Sequence, residues 1–354
     1  EDSRLVVLNA KDAAERGAEI LTRTRCTEAR RMNGLWHITL ASNRGAPVRK
    51  IRAKGLVNAA GPWVSSFIKD RLQQQTDSSV RLVKGSHIVV NKHFDHDSPY
   101  IFQNADNRIV FAIPYERDYT LIGTTDQEYR GDPADIRIDD DEIDYLLTSV
   151  NRYFQEPVTR EKIVWSYAGA RPLYDDASGN ASAVTRDYVF DLDAPQEGAP
   201  LLSIFGGKLT TYRKLAEHAM EKLQPAMGFK GKPWTAGSPL PGGDMDDADF
   251  EAYLNHVRTT WNWLPEALAR RYTRAYGTRI ERLIDGADGL QGLGEHLGDD
   301  LYEAEVTYLM REEWALTDDD ILWRRSKLGL HISEETTSRL RAWLGRNSDP
   351  SEAA

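Results

Sequence analysis

The strongest constraint on the fold is a change of pattern near residue 230. Residues 230–244 contain seven glycines and prolines, a composition that interrupts helices and strands and is typical of a linker. Before this stretch, short apolar runs and turn residues alternate with helical stripes. After it, the apolar residues follow the helical period only. We therefore predict mixed helices and strands up to the linker, including a strand at residues 19–24, and a helical domain beyond it, including a helix over residues 318–328.

Composition limits the classes of protein to which the chain can belong. Its 354 residues, with 40% hydrophobic and 9% aromatic residues, predict a globular protein with more than one core. A net charge of -10 argues against a general nucleic-acid binder. Cys26 is the only cysteine, which excludes an intrachain disulfide and a cysteine-based metal site, and no metal site is predicted.

The start of the chain and the lengths of its apolar runs give expectations about membrane insertion, targeting and completeness. No run approaches the roughly 20 apolar residues of a membrane-spanning helix, and no signal peptide is predicted. The chain opens inside a helical pattern without an initiator Met. It is therefore expected to be a fragment of a longer protein.

Two strand-to-helix junctions could hold a ligand. An apolar run at residues 201–205 is followed by Gly206, Gly207 and Lys208 and then by a helical stripe. Unpaired N–H groups at such a helix start stabilise negative charge, to which Lys208 would add a cation. A second run, residues 55–58, leads into small residues that allow a close ligand approach. A plain turn with a solvated lysine, and an ordinary strand–turn–helix, explain the same patterns.

Three charged or polar side chains are candidates for chemistry. Arg171 follows a predicted strand in a turn of small residues and could clamp a phosphate or carboxylate. Arg186 could do the same or pair with a nearby acid. His87 enters an apolar strand, either as a hydrogen-bonded core residue or as a general base with a pKa near working pH.

Five segments in order resemble the aerobic FAD-dependent glycerol-3-phosphate dehydrogenases. They are residues 55–63, 83–90, 122–126, 205–214 and 322–329. The resemblance implies an α/β (α+β) flavoprotein of the D-amino-acid-oxidase type with three parts. These are an incomplete FAD-binding Rossmann-like domain (1–64 and 201–229), an antiparallel-sheet substrate-binding domain (65–200) and an all-α C-terminal cap domain (230–354).

The resemblance also implies an activity. It is the oxidation of sn-glycerol 3-phosphate to dihydroxyacetone phosphate by hydride transfer to FAD, with electrons passed to a quinone. The enzyme would lie in the cytoplasm, peripheral on the inner face of the cytoplasmic membrane, and could form a homodimer. A basic cluster within residues 322–329 is the local hint of lipid contact, and a solvated helix face is the alternative reading.

Residue roles follow from the same resemblance. His87 and Arg171 would be catalytic, with His87 preferred as the base. Arg171, Arg186 and Lys208 would bind the substrate. The cofactor would be lined by residues of both junctions and of an early strand: Cys26, Ala59, Ala60, Gly61, Trp63, Gly206, Gly207, Lys208, Leu209 and Thr210.

One family feature is missing from the sequence. The G-x-G-x-x-G fingerprint that places a pyrophosphate on a helix N-terminus does not occur. The chain alone is therefore expected to bind FAD poorly and to be inactive, and the full-length parent to be the enzyme. An alpha-glycerophosphate oxidase that uses oxygen and a non-catalytic remnant of the fold are the alternatives.

Overall fold

The computed structural model describes residues 1–42, 48–175 and 187–347. By their contacts the residues form two compact units. One combines Glu1–Thr24 with the chain from Pro233 onward, and the other is built mainly from the chain between them. The division at Pro233 falls inside the glycine- and proline-rich stretch.

The first helix, α1 (Asp2–Glu15), packs with the C-terminal unit. Arg4 forms an ion pair with Glu313, and Lys11 forms one with Glu312. The sequence-based domain assignment places residues 1–64 together in one domain. The long-range ion pairs that join α1 to the C-terminal unit are not visible in any local sequence pattern. A strand expected at residues 19–24 is also wrong, because the chain turns at Arg23 and β1 begins at Thr24.

A small sheet opens the second unit. It consists of β1 (Thr24–Met32), β2 (Leu35–Ser42) and β3 (Arg49–Ala53). Its inner side chains, Trp36 among them, share a core with α2 (Val64–Arg71). Between them lie β4 (Leu56–Asn58) and a 3-10 turn at Gly61–Trp63.

The largest sheet has six strands, and its neighbouring strands pair antiparallel. Its strands are β5 (Val80–Asn91), β6 (Tyr100–Gln103), β7 (Ile109–Tyr115), β8 (Tyr119–Gly123), β9 (Gln127–Tyr129) and β10 (Ile163–Tyr174). The order is β10-β5-β8-β7-β6, with β9 also beside β5. Helix α3 (Asp140–Asn151) covers one face, where Leu146 and Val150 pack with Ile88 and Ile122. The expected antiparallel sheet is thus present.

A third sheet contains the parallel pairing that positions both junctions. Its order is β11 (Tyr188–Asp193), β12 (Leu201–Gly206) and β4, and β12 runs parallel to β4. Helix α4 (Tyr212–Met227) follows β12 and packs Ala219 and Leu223 against it. The apolar stripe read from the sequence is this buried side of α4.

The remaining chain is mostly helical, as expected. It forms α5 (Phe250–Thr260), α6 (Glu266–Tyr276), α7 (Ile280–Ile284), α8 (Glu303–Glu313) and α9 (Glu334–Asn347), with a hairpin of β13 (His296–Gly298) and β14 (Leu301–Tyr302). Of the helix expected over residues 318–328, the segment Asp320–Arg325 is a π-helix that ends before Ser326. Among the described residues, no helix is long and apolar enough to cross a membrane.

Candidate functional site

The candidate site lies on the face of the large sheet opposite α3. Strands β5 and β10 pair so that His87 faces Tyr167, Gly85 faces Gly169 and Val83 faces Arg171. Because side chains alternate between the two faces of a strand, these residues share one face. Ser86, the residue between Gly85 and His87, points to the other face and is buried.

His87 is held by ring and backbone contacts. Its imidazole stacks on the ring of Tyr167, with centroids 4.9 Å apart and planes 10° from parallel. It also lies over Gly123, where any side chain would collide with the ring. Its Nδ1 atom is buried and has no hydrogen-bond partner among the described residues. Burial, together with the charge of Arg171, lowers the pKa of His87 to about 4.

This environment differs from the two sequence-based readings of His87. A core histidine would have satisfied Nδ1, and a base with a pKa near working pH would need less burial. The imidazole is instead neutral at physiological pH. A neutral ring can accept a proton, so the residue keeps the protonation state that a base requires.

Arg171 lies on the same face. Its Nη2 donates to the hydroxyl of Thr124 at 2.9 Å, and its Nη1 is 3.4 Å from a carboxylate oxygen of Asp126. The guanidinium covers Gly85, where a side chain would collide with it. The side chain is 36% exposed, which leaves it accessible to an anion from solution. This placement agrees with a clamp, although Arg171 lies in the strand rather than in a turn.

A buried polar network supports this face from the α3 side. The carboxylate of Glu142, which is fully buried, accepts hydrogen bonds from the hydroxyls of Thr125 at 2.6 Å and Ser86 at 2.9 Å. Lys84 pairs with it at 2.8 Å and also with Asp139. Burial opposes the charge of Lys84, but these partners outweigh it and raise its pKa. The hydrogen bond from Lys84 lowers the pKa of Asp139.

Both strand-to-helix junctions leave the same edge of the third sheet, because parallel strands end on the same side. After β4 the chain passes through Ala59 and Ala60 to Gly61, whose φ is +53°. After β12 it passes through Gly206 and Gly207, at φ +72° and +104°, to Lys208. Glycine is the residue that adopts these left-handed angles without strain. A 3-10 turn over Leu209–Thr211 then precedes α4, so the helical start expected at Lys208 is present in this tighter form.

The edge offers exposed apolar surface beside this backbone. Trp63 is 45% exposed and Leu209 is 48% exposed. Lys208 and Thr210 are exposed as well. Apolar side chains next to glycine backbone fit a large planar ligand such as a flavin. The role of these residues in lining the cofactor stays a prediction.

The sheet face and the junction are neighbours. A Cβ built on Gly206 would lie 3.7 Å from the carbonyl oxygen of Pro172 and 3.4 Å from the amide nitrogen of Tyr174. Pro172 directly follows Arg171, and Lys208 comes two residues after Gly206. The structure therefore brings Arg171, His87 and the second junction into one region of the second unit.

Two other predicted residues stand apart. The side chain of Cys26 packs partly buried against the core of the small sheet, where burial raises the pKa of its thiol. Any contact with a cofactor would come from its backbone. Arg186 lies outside the described residues, so its predicted role stays a prediction.

Sequence reasoning missed several residues of this region. Thr124 and Asp126, which bind Arg171, lie in the quoted segment 122–126, but no role was derived for them. Tyr167 and Glu142 carried no signal, because a stacking aromatic and a buried carboxylate look like any strand or helix residue until the pairing is known.

Most of the basic side chains in segment 322–329 are not exposed to solvent. Arg325 is buried and donates to the carbonyl oxygens of Glu313 and Trp314. Lys327 donates to the carbonyl of Trp323, and only 9% of its side chain is exposed. Only Arg324 of these three cations is largely exposed, so the cluster gives little support for lipid contact.

Comparison with known proteins agrees with this geometry. A family described as FAD dependent oxidoreductase matches residues 1–213, and the C-terminal domain of alpha-glycerophosphate oxidase matches residues 234–343. The chain is 52% identical over 344 residues to a glycerol-3-phosphate dehydrogenase of Pseudomonas aeruginosa, covering 97% of this chain and 67% of that protein. It is 49% identical to a D-erythritol 1-phosphate dehydrogenase of Brucella abortus, covering 97% and 68%.

Two further relatives extend the likeness. The aerobic glycerol-3-phosphate dehydrogenase of Escherichia coli is 46% identical over 97% of this chain and 68% of its own length. The crystal structure of a glycerol-3-phosphate dehydrogenase from Bacillus halodurans, complexed with FAD, superposes with a TM-score of 0.85. That match has 28% identity and covers 99% of this chain and 70% of the other. The chain thus spans about two thirds of the curated relatives, and it belongs to the FAD-dependent oxidoreductase family, among the relatives of the glycerol-3-phosphate dehydrogenases.

Proposed function

We propose that the full-length parent of this chain oxidises glycerol 3-phosphate to dihydroxyacetone phosphate with FAD as the hydride acceptor. The observation that carries this proposal is the shared sheet face, on which an accessible arginine and a neutral histidine lie beside a glycine-rich junction. The names of the relatives at 52% and 46% identity favour glycerol 3-phosphate as the substrate.

Each predicted residue then has a part in the reaction. Arg171 holds the phosphate, with help from Arg186 and Lys208, because guanidinium and ammonium groups bind phosphate oxygens. His87 accepts the proton of the C2 hydroxyl, and bound FAD would take up the hydride from C2. Arginine is a poor base at its normal pKa, so it acts by binding.

The junction residues would hold the cofactor. Ala59, Ala60, Gly61 and Trp63 would line it, and the segment from Gly206 to Thr210 would face the flavin ring. Lys208 and the N–H groups of this segment would stabilise negative charge on the reduced ring. Bound FAD supplies the hydride-accepting chemistry that no side chain provides.

Anaerobic flavin reduction tests this function. Bleaching of the flavin band of the FAD-loaded full-length parent by glycerol 3-phosphate, and not by glycerol, is the expected result. Equal bleaching by glycerol would contradict the role of the phosphate clamp. No bleaching by any polyol phosphate would contradict the reaction and favour the non-catalytic remnant.

The D-erythritol 1-phosphate dehydrogenase at 49% identity supports a second candidate substrate, a four-carbon polyol phosphate. Both substrates carry a phosphate for Arg171 and a secondary hydroxyl for His87. The ratio of kcat/KM for the two phosphates decides between them.

We propose a quinone as the electron acceptor, with oxygen as the alternative that the alpha-glycerophosphate oxidase domain keeps open. Peroxide formed per substrate oxidised, with and without a soluble quinone analogue, separates the two. A peripheral position on the inner face of the cytoplasmic membrane and a homodimer complete the proposal. Flotation with anionic vesicles and sedimentation of the FAD-loaded protein test them.

A further inference from the structure

Three glycines lie on the sheet face that carries His87 and Arg171, and they differ in what covers them. The ring of His87 covers Gly123, and the guanidinium of Arg171 covers Gly85. In the described ranges 1–42, 48–175 and 187–347, no heavy atom other than those of its chain neighbours comes within 4 Å of a Cβ built on Gly169. The face therefore has an open space above Gly169.

The strand register places this space beside the two proposed functional groups. Gly169 pairs with Gly85, and the guanidinium of Arg171 covers Gly85. Tyr167, two residues from Gly169 on the same face of β10, pairs with His87 on β5 and stacks on its ring. The open space above Gly169 therefore adjoins the cation on one side and the tyrosine that stacks on the imidazole on the other.

The backbone itself gives no reason for a glycine at this position. Gly169 does not have a left-handed φ, and a side chain there would meet no described atom. Glycine inside a strand weakens it and often marks a place where a ligand approaches closely. At Gly85 and Gly123, by contrast, the covering side chains account for the missing Cβ.

We propose that Gly169 is the floor of the substrate site and limits the length and bulk of the polyol phosphate that binds. This inference rests on the proposed function. A phosphate on Arg171 and a reacting hydroxyl at His87 would bring the carbon chain of the substrate next to the open space above Gly169. A methyl group at this position would compete with that carbon chain for the same volume.

Two substitutions of graded size test the inference in the FAD-loaded protein. Gly169→Ala and Gly169→Val are assayed with glycerol 3-phosphate and with D-erythritol 1-phosphate. Gly231→Ala is the matched control, because that glycine also has open space and no left-handed φ but lies beyond α4. Tm and the flavin spectrum of each variant report whether the fold and the cofactor are retained.

The expected result is a graded loss that depends on chain length. A single methyl group in a closely fitted site changes kcat/KM by about 10- to 200-fold. Gly169→Ala should therefore lower kcat/KM for the four-carbon substrate at least about tenfold more than for glycerol 3-phosphate, and Gly169→Val should impair both. If the wild type uses only glycerol 3-phosphate, Gly169→Val should raise the KM for glycerol 3-phosphate at least about tenfold. Gly231→Ala should change neither value, and Tm should hold or rise in the Gly169 variants.

The outcomes that overturn the inference are distinct from failure of the proposed function. Unchanged kcat/KM in both Gly169 variants, with an intact flavin spectrum, overturns the inference alone. Equal losses for both substrates in Gly169→Ala, with a lowered Tm, also overturn it, because they indicate damage to the strand. A wild-type protein whose flavin is not reduced by either phosphate overturns the proposed function itself.

Discussion

At the residue scale, the neighbours of His87 determine its protonation state. Glycine at position 123 lets the ring lie flat against β8, and Tyr167 stacks on its other side. This enclosure removes water, and removal of water disfavours the charged imidazolium. The ring is thus held neutral next to Arg171, which is the protonation state in which it can accept a proton, while the same surroundings make it a weaker base than a free imidazole.

Replacing His87 with Ala is therefore expected to slow the chemical step. Loss of a positioned base typically reduces the rate 100- to 10,000-fold, so we expect flavin reduction at saturating glycerol 3-phosphate to fall at least about 100-fold. KM should change little, because the phosphate contact is made by Arg171. Rapid-mixing absorbance of the flavin band measures the step, and an unaltered rate would remove His87 from the mechanism.

The same enclosure predicts a pH-dependent stability. The pKa of His87 is about 4 in the folded protein and near 6.5 in an unfolded chain. The unfolded state therefore binds the extra proton between these values, so stability falls as the pH drops through this window. A shift of this size corresponds to about 3 kcal/mol of the free energy of unfolding.

Urea unfolding at about pH 7 and about pH 4.5 measures this effect. His87→Gln should lose less stability than the wild type between the two conditions, because glutamine does not titrate. His296→Gln is the control, since His296 is exposed in the other unit. Equal acid sensitivity of wild type and His87→Gln would contradict the assignment.

At the scale of secondary-structure elements, α3 fixes the segment that binds Arg171. The carboxylate of Glu142 binds the hydroxyl of Thr125, and the neighbouring Thr124 accepts the hydrogen bond from Arg171. Thr125 also accepts a hydrogen bond from the amide of Ser86, directly before His87. One buried carboxylate thus ties the strand that carries His87 to the segment that binds Arg171.

Glu142→Gln should disturb both stability and substrate binding. The amide keeps the size of the side chain but removes a buried charge partner of Lys84, a change that we expect to cost about 1–3 kcal/mol of the free energy of unfolding. Because the Thr124–Thr125 segment loses its anchor, KM for glycerol 3-phosphate should rise about tenfold, the effect of 1.4 kcal/mol. Asp141→Asn, an exposed change in the same helical turn, is the control. A loss of stability with unchanged KM would limit Glu142 to a structural role.

The local sequence pattern was sufficient to predict some secondary-structure elements and insufficient to predict others. The run at 201–205, the two glycines and the stripe of α4 form one strand, turn and helix as predicted, because each carries its own period or turn residues. The strand expected at 19–24 failed because Arg23 takes a left-handed turn and pairs with Asp320, almost 300 residues away. The contacts of His87 with Gly123 and Tyr167 depend on sheet register in the same way, which a single sequence does not encode locally.

At the scale of the whole molecule, the candidate site lies in only one of the two compact units. Every described residue of the candidate site belongs to the second unit. The first unit has a large hydrophobic core and also contains buried ion pairs such as Arg271 with Glu305, at 2.6 Å. Burial opposes the charge of Arg271, but Glu305 outweighs it and raises its pKa. The hydroxyl of Tyr276 donates to the same carboxylate at 2.6 Å.

Glu305→Gln is therefore expected to lower stability strongly and leave substrate affinity unchanged. The substitution leaves the buried guanidinium of Arg271 without its counter-charge, and breaking a buried pair in this way costs about 3–5 kcal/mol. Glu335→Gln is the matched control, because the pair of Glu335 with Arg339 is exposed and exposed pairs contribute about 0–1 kcal/mol. Thermal unfolding and KM for glycerol 3-phosphate, measured below the unfolding transition, are the two readouts. A raised KM in Glu305→Gln but not in Glu335→Gln would show that the helical unit takes part in substrate binding, contrary to a site confined to the second unit.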